Sequence, residues 1–208
     1  MGGHSAADDD GGGPRRRDAM ATRQALLEAA RSRFIRLGFD GTTLRDVAAD
    51  VGVNLALIKR YFASKEGLFK AALESTPRFP GGLDEFPANR VALAEALSRQ
   101  LSADAWPDFD AHPVLMLLRA SGDVRVDALR RQALLDYSRR VLEAGGATGR
   151  EVDPEEDQLL RAQLLVALGV GVAVLRSAVG LDPLNAATAG QLSEPLQDVI
   201  DALLGPVR

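Results

Sequence analysis

The chain has 208 residues, of which 46% are hydrophobic. This is enough for one ordinary domain, or for a small module joined to a larger one. It contains no cysteine, which excludes disulfides, zinc fingers, iron–sulfur sites and thiol nucleophiles. Its only histidines are His4 and His112, so a hydrolase triad or a histidine metal site would have to use His112.

The net charge of −4 is unevenly distributed along the chain. Residues 15–78 contain 13 Lys or Arg and 7 Asp or Glu, a net charge of +6, whereas residues 79–208 contain 12 and 19, a net charge of −7. A basic first part is typical of a surface that binds a polyanion, but an uneven solvated surface gives the same numbers. Charge alone does not decide between these two interpretations.

The N-terminal segment and the apolar runs indicate where in the cell the protein is located. Residues 1–17 are Gly-rich and charged, which predicts a disordered tail. This segment has no apolar stretch of the signal-peptide type. The uncharged apolar run at residues 163–175 has 13 residues, whereas a membrane span needs about 20. We therefore expect a soluble, cytoplasmic protein without a membrane partner.

Residues 18–76 are predicted to form four short helices. Apolar residues at helical spacing predict the first helix over residues 19–37. These residues are Leu26, Leu27, Ala30, Phe34 and Leu37. Thr43 followed by Asp46 is a capping-box pattern for the second helix, which Gly52 ends. Asn54 and Ser64 are suitable N-caps for the third and fourth helices.

The rest of the chain is also predicted to be helical, which gives an all-α fold. Prolines and glycines place a linker at residues 77–87, before a C-terminal region at residues 88–208. The predicted helices of that region cover residues 90–102, 114–121, 126–143, 154–179 and 195–204. The helix at 154–179, from the N-cap Asp153 to the stop at Gly180, is apolar on nearly all sides in its second half and must be buried all round.

Helix, short Gly-containing turn and helix is the pattern of helix-turn-helix DNA binding, although other helical proteins share it. All three lysines of the chain, Lys59, Lys65 and Lys70, lie in this module. Lys65, in the first turn of the fourth helix, opposes the helix dipole, a small cost that a phosphate bound by both the lysine and the helix end would offset. Thr43 offers a second phosphate contact. The alternatives are a solvated lysine and a simple helix cap.

Residues 22–73 contain four short motifs in order: Leu37-Gly38-Phe39, Thr42-Thr43-Leu44-Arg45-Asp46-Val47-Ala48, Gly52-Val53 and Tyr61-Phe62-Ala63-Ser64-Lys65-Glu66. With these motifs the segment resembles the N-terminal domain of TetR/AcrR-family transcriptional regulators. The motifs occur in the family's order, and the length of the chain is also typical of the family. The resemblance implies a dimeric regulator, usually a repressor, that binds a double-stranded DNA operator and needs no cofactor.

The resemblance also implies site residues. By position, Thr43, Tyr61 and Lys65 are expected to contact phosphates, with Arg45 and Arg60 as further backbone contacts. Asn54, Leu55, Ala56 and Leu57 occupy the positions that face bases. Lys59 stands where the family often has Tyr, and it can reach a phosphate or a guanine edge. Leu55 and Leu57 either meet thymine methyl groups or pack within the module.

Arg15, Arg16 and Arg17 are expected either to form an arm that reaches flanking DNA or to be a solvated charge run. Deletion of residues 1–17 would lower the affinity for DNA only in the first case.

The C-terminal region resembles the family more loosely. The resemblance implies that its last two helices pair with a second copy, whereas the alternative is a core helix within a monomer. The expected dimer contacts are Leu165, Gly169, Val172, Leu196, Ile200 and Leu203. An unknown small-molecule effector would bind between the other helices. Candidate lining residues are Trp106, His112, Met116 and Tyr137, for which ordinary packing is the alternative role.

An enzymatic function is not expected. Glu155, Glu156 and Asp157 are consecutive at a helix start and complement its dipole, and no nucleophile or metal partner for His112 is visible in the sequence. A helical protein that binds another protein would show no change in DNA affinity when Tyr61 or Lys65 is replaced. A transcriptional activator would bind DNA in the same way but would raise transcription of its target.

Overall fold

The computed structural model describes residues 14–74, 86–103, 105, 112–119, 121–146 and 155–205, without the side chains of residues 14–17 and 177. Within these ranges every regular element is helical, which confirms the all-α prediction. The helices are α1 Pro14–Leu37, α2 Leu44–Val51, α3 Leu55–Phe62, α4 Lys65–Glu74, α5 Arg90–Leu101, α6 Leu115–Leu118, α7 Val124–Ala144, α8 Glu155–Val174 and α9 Ala189–Leu204. Helix α8 continues as a π-helical turn, Leu175–Val179.

The predicted helix ends in the N-terminal module are confirmed. Thr43 caps α2 by accepting a hydrogen bond from the backbone N–H of Asp46, and Asn54 caps α3 by accepting one from Ala56. Gly52 ends α2 with φ +70°, a left-handed conformation that glycine adopts without strain. Ser64 accepts a hydrogen bond from the backbone N–H of Gly67 at the start of α4.

Helices α1 and α9 are both longer than predicted. Helix α1 begins at Pro14, so the predicted tail over residues 1–17 is wrong for residues 14–17, and residues 1–13 lie outside the described ranges. Helix α9 begins at Ala189, before the predicted residue 195, because Thr188 and Gln191 form a reciprocal capping box. Pro195 lies inside this helix and does not start it.

The first hydrophobic core lies among α1, α2, α3 and α4. Phe34 and Phe69 meet edge to face with ring centroids 5.0 Å apart, and Phe39 joins them at 5.3 Å from Phe69. Leu37, predicted to face inward, is 49% exposed, because Ile35 and Phe39 are the residues near this end of α1 that are buried in the core. Leu115, Met116 and Val126 also belong to this core, although they are distant in sequence. The N-terminal module is therefore packed directly onto α6 and the start of α7.

The second core lies among α5, α7, α8 and α9. Helices α5 and α9 pack along each other, and Arg90 fixes their ends. Its Nε donates to Asp201 Oδ1 at 2.9 Å, and its Nη1 donates to the backbone carbonyl of Gly145 at 2.8 Å. The described residues thus form two adjoining cores. The predicted linker at 77–87 lies mostly outside the described ranges, so the domain boundaries stay predictions.

Helix α8 is not buried on all sides within one chain, and the expectation of all-round burial is wrong for the protomer. Leu160, Leu164, Leu168 and Leu175 are between 37% and 53% exposed. The helix is long and apolar enough to cross a membrane by composition alone, which is weak evidence, since soluble helices pass the same criterion. One face of α8 packs on the second core and its other face is an uncovered apolar surface. The predicted cap Asp153 lies outside the described ranges, whereas the predicted stop at Gly180 is confirmed.

Candidate nucleic-acid interface and internal cavity

Helix α3 is an eight-residue helix with one buried and one exposed face. Ile58 and Phe62 anchor it in the first core. On the opposite side Ala56, Lys59 and Arg60 are exposed, and these residues include two cations on the last turns of the helix. A short helix held by its apolar face and presenting cations outward is suited to lie in the major groove of DNA.

The connection between α2 and α3 fixes the angle between these helices. It consists of Gly52, Val53 and Asn54, in which Gly52 is left-handed and Asn54 is extended. The backbone N–H of Val53 donates to the carbonyl of Ala48 at 3.0 Å, which closes the end of α2. A side chain at Gly52 would meet no neighbour within 4 Å, so its positive φ is what favours glycine there.

Leu55 and Leu57 are half-buried, as their packing alternative predicts, and each leaves part of its side chain at the surface. Asn54 is exposed, but its Oδ1 is already bound to the backbone N–H of Ala56 at 2.8 Å. Its side-chain amide group retains N–H donors. Whether Asn54 or the two leucines contact bases stays a prediction.

The start of α2 offers a hydroxyl and a cation. Thr43 and Arg45 are both exposed. The Thr43 hydroxyl donates to Asp46 Oδ2 at 2.7 Å, and its oxygen accepts from the backbone N–H of Asp46 at 3.1 Å. A phosphate at this position would therefore have to displace the Asp46 carboxylate as the acceptor of the Thr43 proton.

Tyr61 and Lys65 are both half-buried. The ammonium group of Lys65 lies 4.2 Å from the centroid of the Phe39 ring, a distance typical of a cation–π contact. Burial lowers the pKa of Lys65, and the nearby Asp40 and Glu66 partly oppose that shift. Phe39 thus holds the lysine at the first turn of α4, where a phosphate contact is expected.

A partly open cavity of about 140 Å³ lies in the C-terminal region. Its lining comes from α4, α5, α6, α7, α8 and the turn before α6. His112 and Tyr137 line it, in agreement with their predicted positions, and ligand contact at these residues stays a prediction. Met116 is wrong as a lining residue, because it is 1% exposed and packs in the first core. Trp106 lies outside the described ranges.

His112 is buried, and its Nδ1 accepts a hydrogen bond from the backbone N–H of Val114 at 3.1 Å. Burial, followed by the nearby charge of Arg176, lowers the pKa of His112 to about 4. The ring is therefore neutral at pH 7. With Nδ1 acting as acceptor, the proton of the neutral ring is on Nε2.

A pH dependence of stability follows from this burial. The pKa of His112 is about 4 in the folded chain and 6.5 in its ordinary state, so the unfolded chain binds the proton more readily. We expect this site to lower the free energy of unfolding by about 1 to 3 kcal/mol as the pH falls from 6.5 to 4. Urea denaturation across that range measures it. The same loss in a His112→Asn variant would contradict the assignment to His112.

Sequence reasoning missed two polar residues of this region. Gln100 on α5 lines the cavity, and its Oε1 is buried without a hydrogen-bond partner in the described part of the chain. Arg130 on α7 is 6% exposed. Asp127, one turn before Arg130, is the only sequence signal that could have indicated an intrahelical ion pair, and nothing in the sequence indicated burial of either residue.

Arg130 joins three helices beside the cavity. Its Nε donates to the backbone carbonyl of Met116 on α6 at 2.8 Å. Its Nη1 donates to Asp127 Oδ1 at 2.7 Å, and its guanidinium carbon lies 5.3 Å from the ring centroid of Phe69 on α4. A second tie runs from Arg119 Nη1 to the backbone carbonyl of Arg36 at 2.7 Å. The N-terminal module is thus held to α6 and α7 by directional contacts as well as by packing.

Replacing Arg130 with alanine is expected to lower the free energy of unfolding by about 2 to 3 kcal/mol, because the buried carbonyl of Met116 loses a charged donor. Urea denaturation measures the change. Arg131→Ala is the matched control, since Arg131 is the exposed neighbour, and it should change stability by less than about 0.5 kcal/mol. Equal effects of the two substitutions would show that the buried contacts of Arg130 contribute nothing.

The predicted dimer contacts divide into two groups. Leu165, Leu196 and Ile200 are at most 6% exposed and pack in the second core of the same chain, so they are not available to a partner in this conformation. Gly169, Val172 and Leu203 are half-buried. The outward apolar face of α8 instead comprises Leu160, Leu164, Leu168 and Leu175, which lie on the side away from Leu165.

Comparison with known proteins agrees with this geometry. Residues 26–72 match the family model described as "Bacterial regulatory proteins, tetR family". The chain is 29% identical over 154 residues to the HTH-type transcriptional regulatory protein RaaS of Mycobacterium tuberculosis, a match that covers 69% of this chain and 66% of RaaS. It is 28% identical over 190 residues to the HTH-type transcriptional repressor Rv3405c of the same species, covering 88% of each chain.

A solved structure from Streptomyces coelicolor A3, a TetR-family regulator, is similar over 93% of this chain and 100% of its own, with 27% identity and a TM-score of 0.51. The fold, the capped α2–turn–α3 unit and these matches define a helix-turn-helix regulator of transcription. Residues 26–72 carry the DNA-binding module of the tetR family of bacterial regulatory proteins, and most of the chain is similar to transcriptional regulators of that kind.

Proposed function

We propose that the chain is a homodimeric repressor that binds a palindromic operator and is released from it by a small-molecule effector. The observation that carries this proposal is the position of the cavity. Leu73, which is on the last helix of the DNA-binding module, forms part of the cavity wall. A molecule in the cavity therefore contacts the same helix whose first residue, Lys65, is expected to bind a phosphate.

The DNA-binding part of the proposal rests on the exposed side of α3 and its neighbours. Lys59, Arg60 and Arg45 are exposed. Neutralisation of phosphates by such cations releases counterions, so the affinity should fall steeply with salt. Sequence preference would come from the residues of α3 that reach base edges, namely Ala56 and Lys59, with Leu55 in part.

The dimer rests on the uncovered face of α8. Full burial of a leucine side chain stabilises by about 1.5 to 3 kcal/mol, so covering four partly exposed leucines contributes several kcal/mol to association. A second copy of α8 related by two-fold symmetry would cover them, because the same face then meets itself. Two-fold symmetry of the protein would also produce an operator with two inverted half-sites.

The proposed release depends on the turn at 112–114 and on α6. His112, Pro113, Val114 and Leu117 line the cavity, whereas Leu115 and Met116 pack in the first core. An effector that alters the packing of this segment also alters the support of α1 and α4. It can release DNA only to the extent that it binds the released state more tightly than the bound state.

Repression and a cytoplasmic location complete the proposal. One relative carries the word repressor in its name, and a protein that occupies an operator must share a compartment with the DNA. An activator would bind the same DNA, but deletion of its gene would lower transcription of the target genes.

Selection of bound duplexes from a random pool tests the proposal. We expect the purified chain to enrich an inverted repeat whose half-sites are centred about one helical turn, or a multiple of it, apart. Enrichment of a single asymmetric site, or of no sequence, would contradict a symmetric dimer on an operator.

A further inference from the structure

The cavity is chemically unlike a site for a charged molecule. Most of its lining is aliphatic, from residues such as Leu97, Leu134, Val166 and Val170. Among the described residues that line it, none carries a formal charge at pH 7, because the only titratable side chains are a neutral His112 and Tyr137. A charged molecule would have to leave water without an opposite charge among the lining side chains, which is costly. The charge of Arg176 acts on His112, but Arg176 is not a lining residue.

Among the described residues, Gln100 contributes one hydrogen-bond acceptor without a partner to this mainly apolar lining. Its Oε1 is buried and has no hydrogen-bond partner in the described part of the chain. A buried polar atom left in this condition costs about 1 to 3 kcal/mol. Gln100 lines the cavity but its Oε1 lies behind the lining surface, so a turn of the side-chain amide would present the oxygen to the cavity. An O–H or N–H donor in the cavity then removes this cost, whereas a purely apolar molecule does not.

We propose that the effector is an uncharged, mainly apolar small molecule with one hydroxyl or N–H donor, which hydrogen-bonds to Oε1 of Gln100. This inference deepens the proposed function: that the bound molecule acts as an effector depends on the proposed function, whereas its binding chemistry does not. It specifies two selection rules. Net charge excludes a molecule from the cavity, and the donor distinguishes among uncharged molecules of similar shape.

The size of the cavity suggests probes with a single ring. A cavity of about 150 Å³ lined by apolar residues accommodates benzene, and this one measures about 140 Å³. A matched set is p-cresol, p-xylene and 4-methylbenzoate. The first two have nearly the same shape and differ in one hydroxyl group, and the third adds a negative charge.

The test measures binding of the three probes to the purified full-length chain by calorimetry or by NMR titration. The wild type should bind p-cresol and should not bind 4-methylbenzoate measurably. Gln100→Leu should lower the affinity for p-cresol about fivefold, the equivalent of one hydrogen bond, without lowering the affinity for p-xylene. Equal changes for both uncharged probes, tighter binding of 4-methylbenzoate than of p-cresol, or no binding of any probe would overturn the proposal.

A second variant locates the probes. Gly169 lies one turn from Leu165 and one turn from Ala173, and all three line the cavity. A side-chain carbon added at Gly169 meets no neighbour within 4 Å, so Gly169→Phe can fill the space. This variant should abolish binding of both p-cresol and p-xylene. Unchanged binding would place the probes elsewhere and overturn the proposal.

These measurements use no DNA. A chain that binds p-cresol through Gln100 but shows no affinity for any duplex would refute the proposed function and leave the chemistry of the cavity standing. The reverse result, a specific operator with none of the predicted probe binding, would refute only the chemistry proposed here.

Discussion

Lys59→Ala is expected to lower the affinity for the selected operator by about 5- to 150-fold, the range for loss of a specific base contact. Lys59 is the exposed cation in the middle of the outward face of α3. Fluorescence anisotropy with a labelled duplex measures the change. The matched control is Lys70→Ala, which removes the same charge from α4, where Lys70 pairs with Glu74 at 3.7 Å. The control should leave the affinity within about twofold of the wild type.

The same titration distinguishes the two roles open to Lys59. If it reads a guanine, the loss is confined to the selected sequence, and duplexes changed at that base pair bind the variant and the wild type equally. If it contacts a phosphate, the loss is uniform across sequences and the salt slope falls by about one. Identical affinities of Lys59→Ala and Lys70→Ala for every duplex would show that Lys59 does not contact DNA.

The double substitution Leu164→Glu and Leu168→Glu is expected to convert the proposed dimer to single chains. Both leucines are on the uncovered face of α8, 50% and 37% exposed, and two facing copies would bring four carboxylates into an apolar contact. Sedimentation or light scattering measures the mass. We expect operator affinity to fall by at least about 100-fold, since each half-site then binds alone.

Val124→Glu provides the control for this pair. Val124 is 79% exposed and is the first residue of α7, so the substitution should leave the mass unchanged. A double variant that keeps twice the mass of one chain would show that another surface forms the dimer. A wild-type chain that partitions into membranes would show that the apolar face of α8 meets lipid.

The N-terminal module could be predicted closely because its structure is locally encoded. Thr43 and Asn54 each satisfy a backbone N–H only two or three residues away, and Gly52 supplies a conformation that depends on one residue. Signals of this kind are complete within a short window of sequence. The order of these short signals also carried the resemblance to the family.

The longer-range features could not be predicted, because they depend on which elements meet. Met116 is apolar and lies between the cavity-lining residues Val114 and Leu117 in sequence, yet its side chain packs in the first core. Leu165 and Leu164 are adjacent and equally apolar, but one is 2% exposed and the other 50%. Helical spacing shows that a face exists and does not show which neighbour covers it.

Gln100 and Arg130 illustrate the same difficulty for polar residues. Each is on a helix where a polar side chain normally faces solvent. Gln100 lines a cavity that α6, α7 and α8 help to form, whereas Arg130 contacts Met116 of α6 and Phe69 of α4. Their roles depend on contacts with residues distant in sequence; Arg130 and Met116, for example, are 14 residues apart.

The most direct test of the whole proposal is the stoichiometry and salt dependence of binding to the selected duplex. We expect two chains per duplex and a logarithm of affinity that falls linearly with the logarithm of salt concentration, with a slope reflecting several phosphate contacts. One chain per duplex, or no measurable affinity at low ionic strength, would contradict a symmetric regulator that reads DNA through paired copies of α3.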